Sequence, residues 1–321
     1  MKARRSLWKR ARQLLTLVFF ILVPVLLFML LRNQDWNEVW QALTSYRPTV
    51  LLTALAVVVC SFSLFASYDL LGRRYTGHHL PARQVLPLAF VCYAFNLNLS
   101  AWVGGVALRY RLYSRLGLET STITRILGLG LVTNWLGYLL VAGSLFALGF
   151  PKLPAGLEIG STGLRLIGLA MLLVALCYLL ACGFSSRREW HVRGHRIRLP
   201  SWRLAALQGV MGAGNWALLG WVVYILLPDK AGYPTILAIL LVSSIAGVIT
   251  HIPAGLGVLE SVFITLLQGQ YSQGTLLAAL IGYRAVYFLL PLLLALVTYL
   301  VLERVASQRG RASASAASRS G

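Results

Sequence analysis

Two ionisable residues stand where a lipid environment tolerates them least. Glu260 closes the string His251-Ile252-Pro253-Ala254-Gly255-Leu256-Gly257-Val258-Leu259-Glu260, and Arg284 lies deep inside the apolar run 276–290. A carboxylate and a guanidinium can grip each other bidentately, and the guanidinium can grip a lipid phosphate in the same way. Charged side chains at membrane depth mark either a permanent ion pair or a site for a polar ligand, and both readings hold for this pair. Proline removes a backbone donor and each glycine weakens a helix, so the chain should break at Pro253, Gly255 and Gly257. Broken backbone in a bilayer persists only inside protein or beside a hydrated cavity; the plainer alternative is a kinked helix with Glu260 near an interface.

A second break has the same shape and the opposite charge. Trp102-Val103-Gly104-Gly105-Val106-Ala107-Leu108-Arg109 runs from glycines to a basic residue, as Gly255 and Gly257 run to an acidic one. Asn96 and Asn98 approach this tip and can bond either a headgroup or the broken backbone. Arg109 is placed to meet a phosphate at the surface, while Arg111, Arg115 and Arg125 serve equally well as anchors on anionic lipid. Asp69, close to Arg73 and Arg74, is expected to form an interfacial ion pair with them.

The elements that carry these residues must be membrane helices. The chain has 321 residues, 58% of them hydrophobic and 12% charged, with mean hydropathy +0.73. No soluble domain buries that much apolar surface. Apolar runs lie near 14–31, 50–70, 85–103, 123–148, 162–184, 204–227, 234–268 and 275–302. The first follows a basic head and is too long for a cleaved signal, so it reads as a spanning helix kinked at Pro24. The net charge of +20 is spread over short loops, which fits positive-inside topology and excludes a nucleic-acid domain. Cys60, Cys92, Cys177 and Cys182 show no ligand spacing, and His191 and His195 fall in a basic stretch read as a solvated loop, so neither a metal nor a disulfide framework is expected.

The arginines order the runs. Run 85–103 has basic flanks on both sides, so making it cross would place one flank outside and displace the six arginines from Arg187 to Arg203 as well. A re-entrant hairpin at 85–115 and another at 234–268, entering from the opposite side, remove the conflict. Of 29 Lys and Arg residues, 23 then face the cytoplasm, in groups before residue 13, at 73–83, 109–125 and 187–203, and after residue 303. The expected architecture is all-α and polytopic, with about six full spans and two oppositely oriented re-entrant hairpins. Residues 1–303 form one membrane domain, and 304–321 a basic disordered tail; both termini are cytoplasmic. Span, hairpin, span occurs twice in inverted order, a recurrent transporter plan.

The motifs Gly104-Gly105…Arg109-Tyr110-Arg111-Leu112-Tyr113 and Pro253-x-Gly255-x-Gly257-x-x-Glu260 resemble those of the membrane (flippase) domain of lysylphosphatidylglycerol synthases, and among its stand-alone members the YbhN-type bacterial inner-membrane proteins. The resemblance covers most of 10–303 and implies movement of an anionic phospholipid between leaflets. The aminoacyl-transferring domain of the two-domain relatives is not expected after Glu303, so lipid aminoacylation and enzymatic activity are not implied. No cofactor is needed, the expected partners are anionic phospholipids and the membrane, and an oligomer is compatible with the sequence. A competing reading is a non-transporting partner that binds anionic lipid and supports a phospholipid-synthesising enzyme through the basic 185–203 loop.

Remaining features read as packing. Asn134-Trp135 and Asn215-Trp216 lie in spans where asparagine bonds a neighbouring helix; Gly209, Gly212 and Gly214 suit close helix contact. Trp36, Val39, Trp40 and Leu43 share one face of a short external helix expected to lie on the interface.

Overall fold

A computed structural model describes residues 36–99, 105–151, 160–185, 189–192, 195–228, 230–250, 252 and 255–304. The expected first span at 14–31, the tail beyond residue 304 and the tip residues Gly104 and Pro253 lie outside these. The protein is an all-α polytopic membrane protein. Its helices are α1 (Trp36–Thr44), α2 (Pro48–Thr76), α3 (Ala82–Asn98), α4 (Leu108–Arg115), α5 (Thr120–Ala147), α6 (Gly160–Phe184), α7 (Trp202–Leu226), α8 (Tyr233–Thr250), α9 (Val258–Leu267) and α10 (Gln273–Arg304).

Among the described residues, six helices are long and apolar enough to cross a membrane: α2, α5, α6, α7, α8 and α10. Five are spans expected above; α8 was assigned to an arm of the second hairpin. The 10 residues of α9 reach only about 15 Å, half of a ~30 Å hydrocarbon core. Yet the chain after α9 returns to the start of α8. Tyr271 Oη accepts from the N–H of Ala231 at 2.8 Å and donates to the carbonyl of Pro228 at 2.8 Å. Both ends of the α8–α9 segment therefore meet on one side of the protein.

The α3–α4 segment also closes on itself. His78, just before α3, lies edge-on to Tyr113 near the end of α4, with ring centroids 6.4 Å apart. Contacts between distant segments then sort the ends into two sides. Arg111 and Arg115 on α4 hold Glu303 at the end of α10, so these share a side with the α2–α3 turn. On the other, Tyr46 donates to the carbonyl of Leu226 at 2.7 Å, and Ser272 donates to Glu38.

Helix ends follow local rules. Pro48 opens α2 and Gly77, at φ 73°, closes it with its N–H on the Arg73 carbonyl. Ser201 and Ser272 cap α7 and α10. Helices α5 and α7 meet closely: a Cβ on Gly137 would collide with the backbone of Gly212, and one on Gly212 with the Thr133 carbonyl. Here, at Gly212, the expected glycine packing is tightest. Trp216 Nε1 donates across the same interface to the Asn134 carbonyl at 3.2 Å.

Two local expectations are corrected. The stretch read as a solvated loop contains strands β1 (Glu189–Val192) and β2 (His195–Arg198), paired antiparallel with Val192 opposite His195; these residues are therefore not on a helix. In α1, Val39 is 2% exposed against Leu277 and Ala278 of α10, whereas Trp40 is 68% exposed. The helix uses its Val39 face to dock on protein, which leaves only the Trp40 side for lipid.

Candidate functional site

Glu260 sits in the first turn of α9, where four backbone N–H groups lack helical partners and the helix dipole favours an anion. Its Oε2 accepts from the Gly257 N–H at 2.9 Å. Gly255 and Gly257 have φ of 58° and 78°, a left-handed backbone that glycine adopts without a Cβ penalty, and this turn aims the carboxylate at α10. Arg284 meets it with both arms of its fork, Nε to Oε1 at 2.6 Å and Nη2 to Oε2 at 3.1 Å. Nη2 also donates to the Gly255 carbonyl at 3.2 Å. The side chains of Arg284 and Glu260 are 14% and 10% exposed, so the pair is largely desolvated yet not sealed.

The first break carries a matching pair with a partner the sequence did not indicate. Arg109 is buried, donating from Nε and Nη2 to the two carboxylate oxygens of Asp69 at 3.1 and 2.9 Å. Tyr113 donates to Asp69 Oδ2 at 2.8 Å. Asp69 is therefore not the interfacial partner of Arg73 and Arg74. Those two guanidinium groups form no ion pair among the described residues. Arg109 lies inside the protein, and a phosphate reaching it must replace Asp69.

The last helix joins the two breaks. Asn98 Nδ2 donates to the Ala94 carbonyl at 2.9 Å and to the Phe288 carbonyl at 3.2 Å, so its amide nitrogen is bonded to backbone. Asn96 stands against Gly105, where a Cβ would lie 2.8 Å from its Oδ1. Phe288 is four residues after Arg284, whose guanidinium lies 5.7 Å from the Phe288 ring centroid. Residues Ala285–Leu289 are π-helical, with the Leu290 N–H on the Ala285 carbonyl. Pro291 has no N–H to offer the Tyr287 carbonyl, so the α ladder is interrupted there. A π stretch inside an α-helix often accompanies a functional site.

Within that stretch Tyr287 enters a buried polar cluster. Ser61 Oγ lies 2.8 Å from both Asn215 Oδ1 and Tyr287 Oη, and Tyr93 Oη lies 3.0 Å from Tyr287 Oη. Four helices, α2, α3, α7 and α10, thus meet through hydroxyls and an amide in the core. Each polar atom is satisfied by a neighbour, as burial requires.

The sequence profile of the "lysylphosphatidylglycerol synthase TM region" matches residues 13–295. The chain belongs to this family. It is 49% identical over 302 residues to "Inner membrane protein YbhN" of Escherichia coli (strain K12), covering 94% of this chain and 95% of that one. It is also 29% identical over 265 residues to "Uncharacterized protein slr0712" of Synechocystis sp., covering 82% of each.

In this family member, several residues near the breaks were visible in sequence only as charges or polar types. Arg111 Nη2 donates to Glu303 Oε1 at 3.0 Å, and Arg115 to Glu303 Oε2, so these two arginines fasten α4 to the end of α10 besides any contact with lipid. Asp69 and Tyr113 were missed as partners of Arg109. The available signal was the one used for Arg284: a guanidinium next to apolar segments requires an anion. Ser61, Tyr93 and Tyr287 carry no such signal, because isolated hydroxyls in apolar runs are common. Among the described residues no cluster of three or more His, Cys, Asp or Glu is placed to hold a metal.

Proposed function

We propose that this protein moves an anionic phospholipid (phosphatidylglycerol, cardiolipin or a derivative) between the leaflets of a bacterial inner membrane, in the manner of a flippase. The observation that carries the reading is the Glu260–Arg284 pair, a bidentate and nearly desolvated ion pair set at a helix break inside a membrane protein. A lipid phosphate matches the carboxylate in charge and fork geometry. It can take over Arg284, while Glu260 keeps the Gly257 N–H. The acyl chains stay in the bilayer, and only the headgroup needs the polar interior.

The name of the Escherichia coli relative supports the inner membrane as the location, and the basic side of the protein supports cytoplasmic termini. The α3–α4 and α8–α9 segments are read as re-entrant hairpins from opposite sides, in keeping with their ends returning together. Movement of this kind is downhill or coupled to an ion gradient.

The β1–β2 hairpin favours a second reading, a lipid-binding partner of a phospholipid-synthesising enzyme, because the basic stretch between α6 and α7 forms an ordered element suited to docking. Reconstitution separates the two. Purified protein in liposomes should carry fluorescent phosphatidylglycerol from the inner to the outer leaflet well above protein-free liposomes. Binding without movement would favour the partner reading.

A further inference from the structure

A groove of about 510 Å³ runs between α2, α3 and the second half of α10. Its wall is mostly apolar, formed by residues such as Val59, Phe90, Leu290 and Leu294 with the hydroxyls of Ser63, Ser67 and Thr298 among them, and it faces outward, with Val59 58% and Leu294 55% exposed. At the α2–α3 turn lies a second cavity of about 490 Å³, lined by Arg73, Arg74, His78 and His79. The two are aligned. Val59, Ser63, Ser67, Leu70, Arg74 and Gly77 follow one another at three- and four-residue steps along a single face of α2, and Ala82, Leu86 and Phe90 do the same on α3. From Val59 to Arg73 the helix rises about 21 Å, somewhat more than the ~15 Å depth of one leaflet.

The basic end is built to receive an anion. Asp69, the nearest carboxylate in sequence, is taken by Arg109 and Tyr113, which leaves Arg73 and Arg74 without an ion pair among the described residues. His78 Nδ1 accepts from the Leu80 N–H at 3.3 Å, so the neutral ring carries its proton on Nε2. That atom is buried and has no hydrogen-bond partner among the described residues. Burial and the adjacent Arg73 hold the imidazole below its ordinary range, which keeps it a neutral donor near pH 7.

We infer that this groove is a docking site for a single anionic phospholipid, with its phosphate among Arg73, Arg74, His78 and His79 and an acyl chain lying between α2, α3 and α10. The site is separate from the Glu260–Arg284 pair. It deepens the transport reading, on which its place as the loading station rests; lipid binding itself does not depend on that reading. Choline-headed phospholipid, with no net charge, fits the groove but not the cationic pocket, so the site selects by headgroup.

The test uses the full-length protein in nanodiscs, with phosphatidylglycerol bearing a diazirine on one acyl chain as the probe. Photolabel is expected on α2, α3 and α10 peptides that line the groove, at least tenfold above that from the matching phosphatidylcholine probe. Arg73→Gln with Arg74→Gln, two residues outside the packed core, should lower it about tenfold, as should Ser63→Trp, which fills the exposed groove. Equal labelling by both probes, labelling elsewhere, or wild-type labelling of both variants overturns the site. Selective labelling by a protein that moves no lipid would sink the transport reading and leave the docking site standing.

Discussion

Asn98 donates to the carbonyl of Phe288, one helical turn beyond Arg284, whose guanidinium grips Glu260. A single stretch of α10 therefore touches both breaks, the α3 end through an amide and the α9 start through an ion pair. The π-helical segment Ala285–Leu289 begins next to Arg284 and contains Phe288. Among the described residues, it is α10 that connects the two breaks. A shift of α10 would move both breaks at once.

The buried pair under the first break should behave as a structural lock. Asp69→Asn leaves the Arg109 charge desolvated with a neutral partner and should cost about 3–5 kcal/mol. Tyr113→Phe removes one hydrogen bond to the carboxylate and should cost about 1.5–3 kcal/mol. Thermal unfolding in detergent, read by tyrosine and tryptophan fluorescence, gives the order; equal stability of wild type and Asp69→Asn would show the pair to be dispensable.

Glycines in one helix should differ sharply in tolerance. Gly137→Ala places a Cβ into the Gly212 backbone and should separate α5 from α7, with loss of folded protein on size exclusion. At Gly128, in the same helix, no atom lies within 4 Å of an added Cβ. There, alanine should be neutral or stabilising by up to about 1 kcal/mol.

Sidedness is testable without lipid. In a cysteine-free background, Cys at Ser114 should resist an impermeant maleimide in intact cells and react after permeabilisation, while Cys at Thr44 should react in both. Labelling of position 114 in intact cells would remove the inverted arrangement of the two hairpins.

The hydropathy pattern was enough to place five of the six long apolar helices among the described residues, because a 20-residue apolar segment has few alternatives in lipid; the sixth, α8, was read as a hairpin arm. The Glu260–Arg284 pair was also legible, since two opposite charges in neighbouring apolar segments have no cheaper partner than each other. The Asp69–Arg109 pair was not. Local spacing offers Arg73 four residues from Asp69, and only the fold brings Arg109, 40 residues away, into a better fork with Tyr113 beside it. The cationic cavity at the α2–α3 turn follows from that exchange, and so was equally hidden. Strands β1 and β2 escaped notice because four-residue pairs in a basic stretch lack an apolar alternation to reveal them.

The left-handed turn at the second break makes its own demand. Leucine at both Gly255 and Gly257 puts Cβ atoms on backbone at φ 58° and 78°, at about 1–2 kcal/mol each, and moves the Gly257 N–H that holds Glu260. Lipid movement should fall more than expression does. Wild-type movement by a stably expressed double variant would mean that the turn serves only as a kink.

The most direct measurement exchanges the two charges of the central pair. Glu260→Arg with Arg284→Glu keeps opposite charges at the same two positions but puts the guanidinium at the start of α9 and the carboxylate on α10. If Arg284 exists to receive a lipid phosphate, the swapped protein should recover most of the folded yield lost by Glu260→Gln or Arg284→Gln alone, yet move fluorescent phosphatidylglycerol at no more than about a tenth of the wild-type rate. Recovery of both folded yield and full transport would contradict the account, because the pair would then be a structural clamp and the headgroup would have to pass elsewhere.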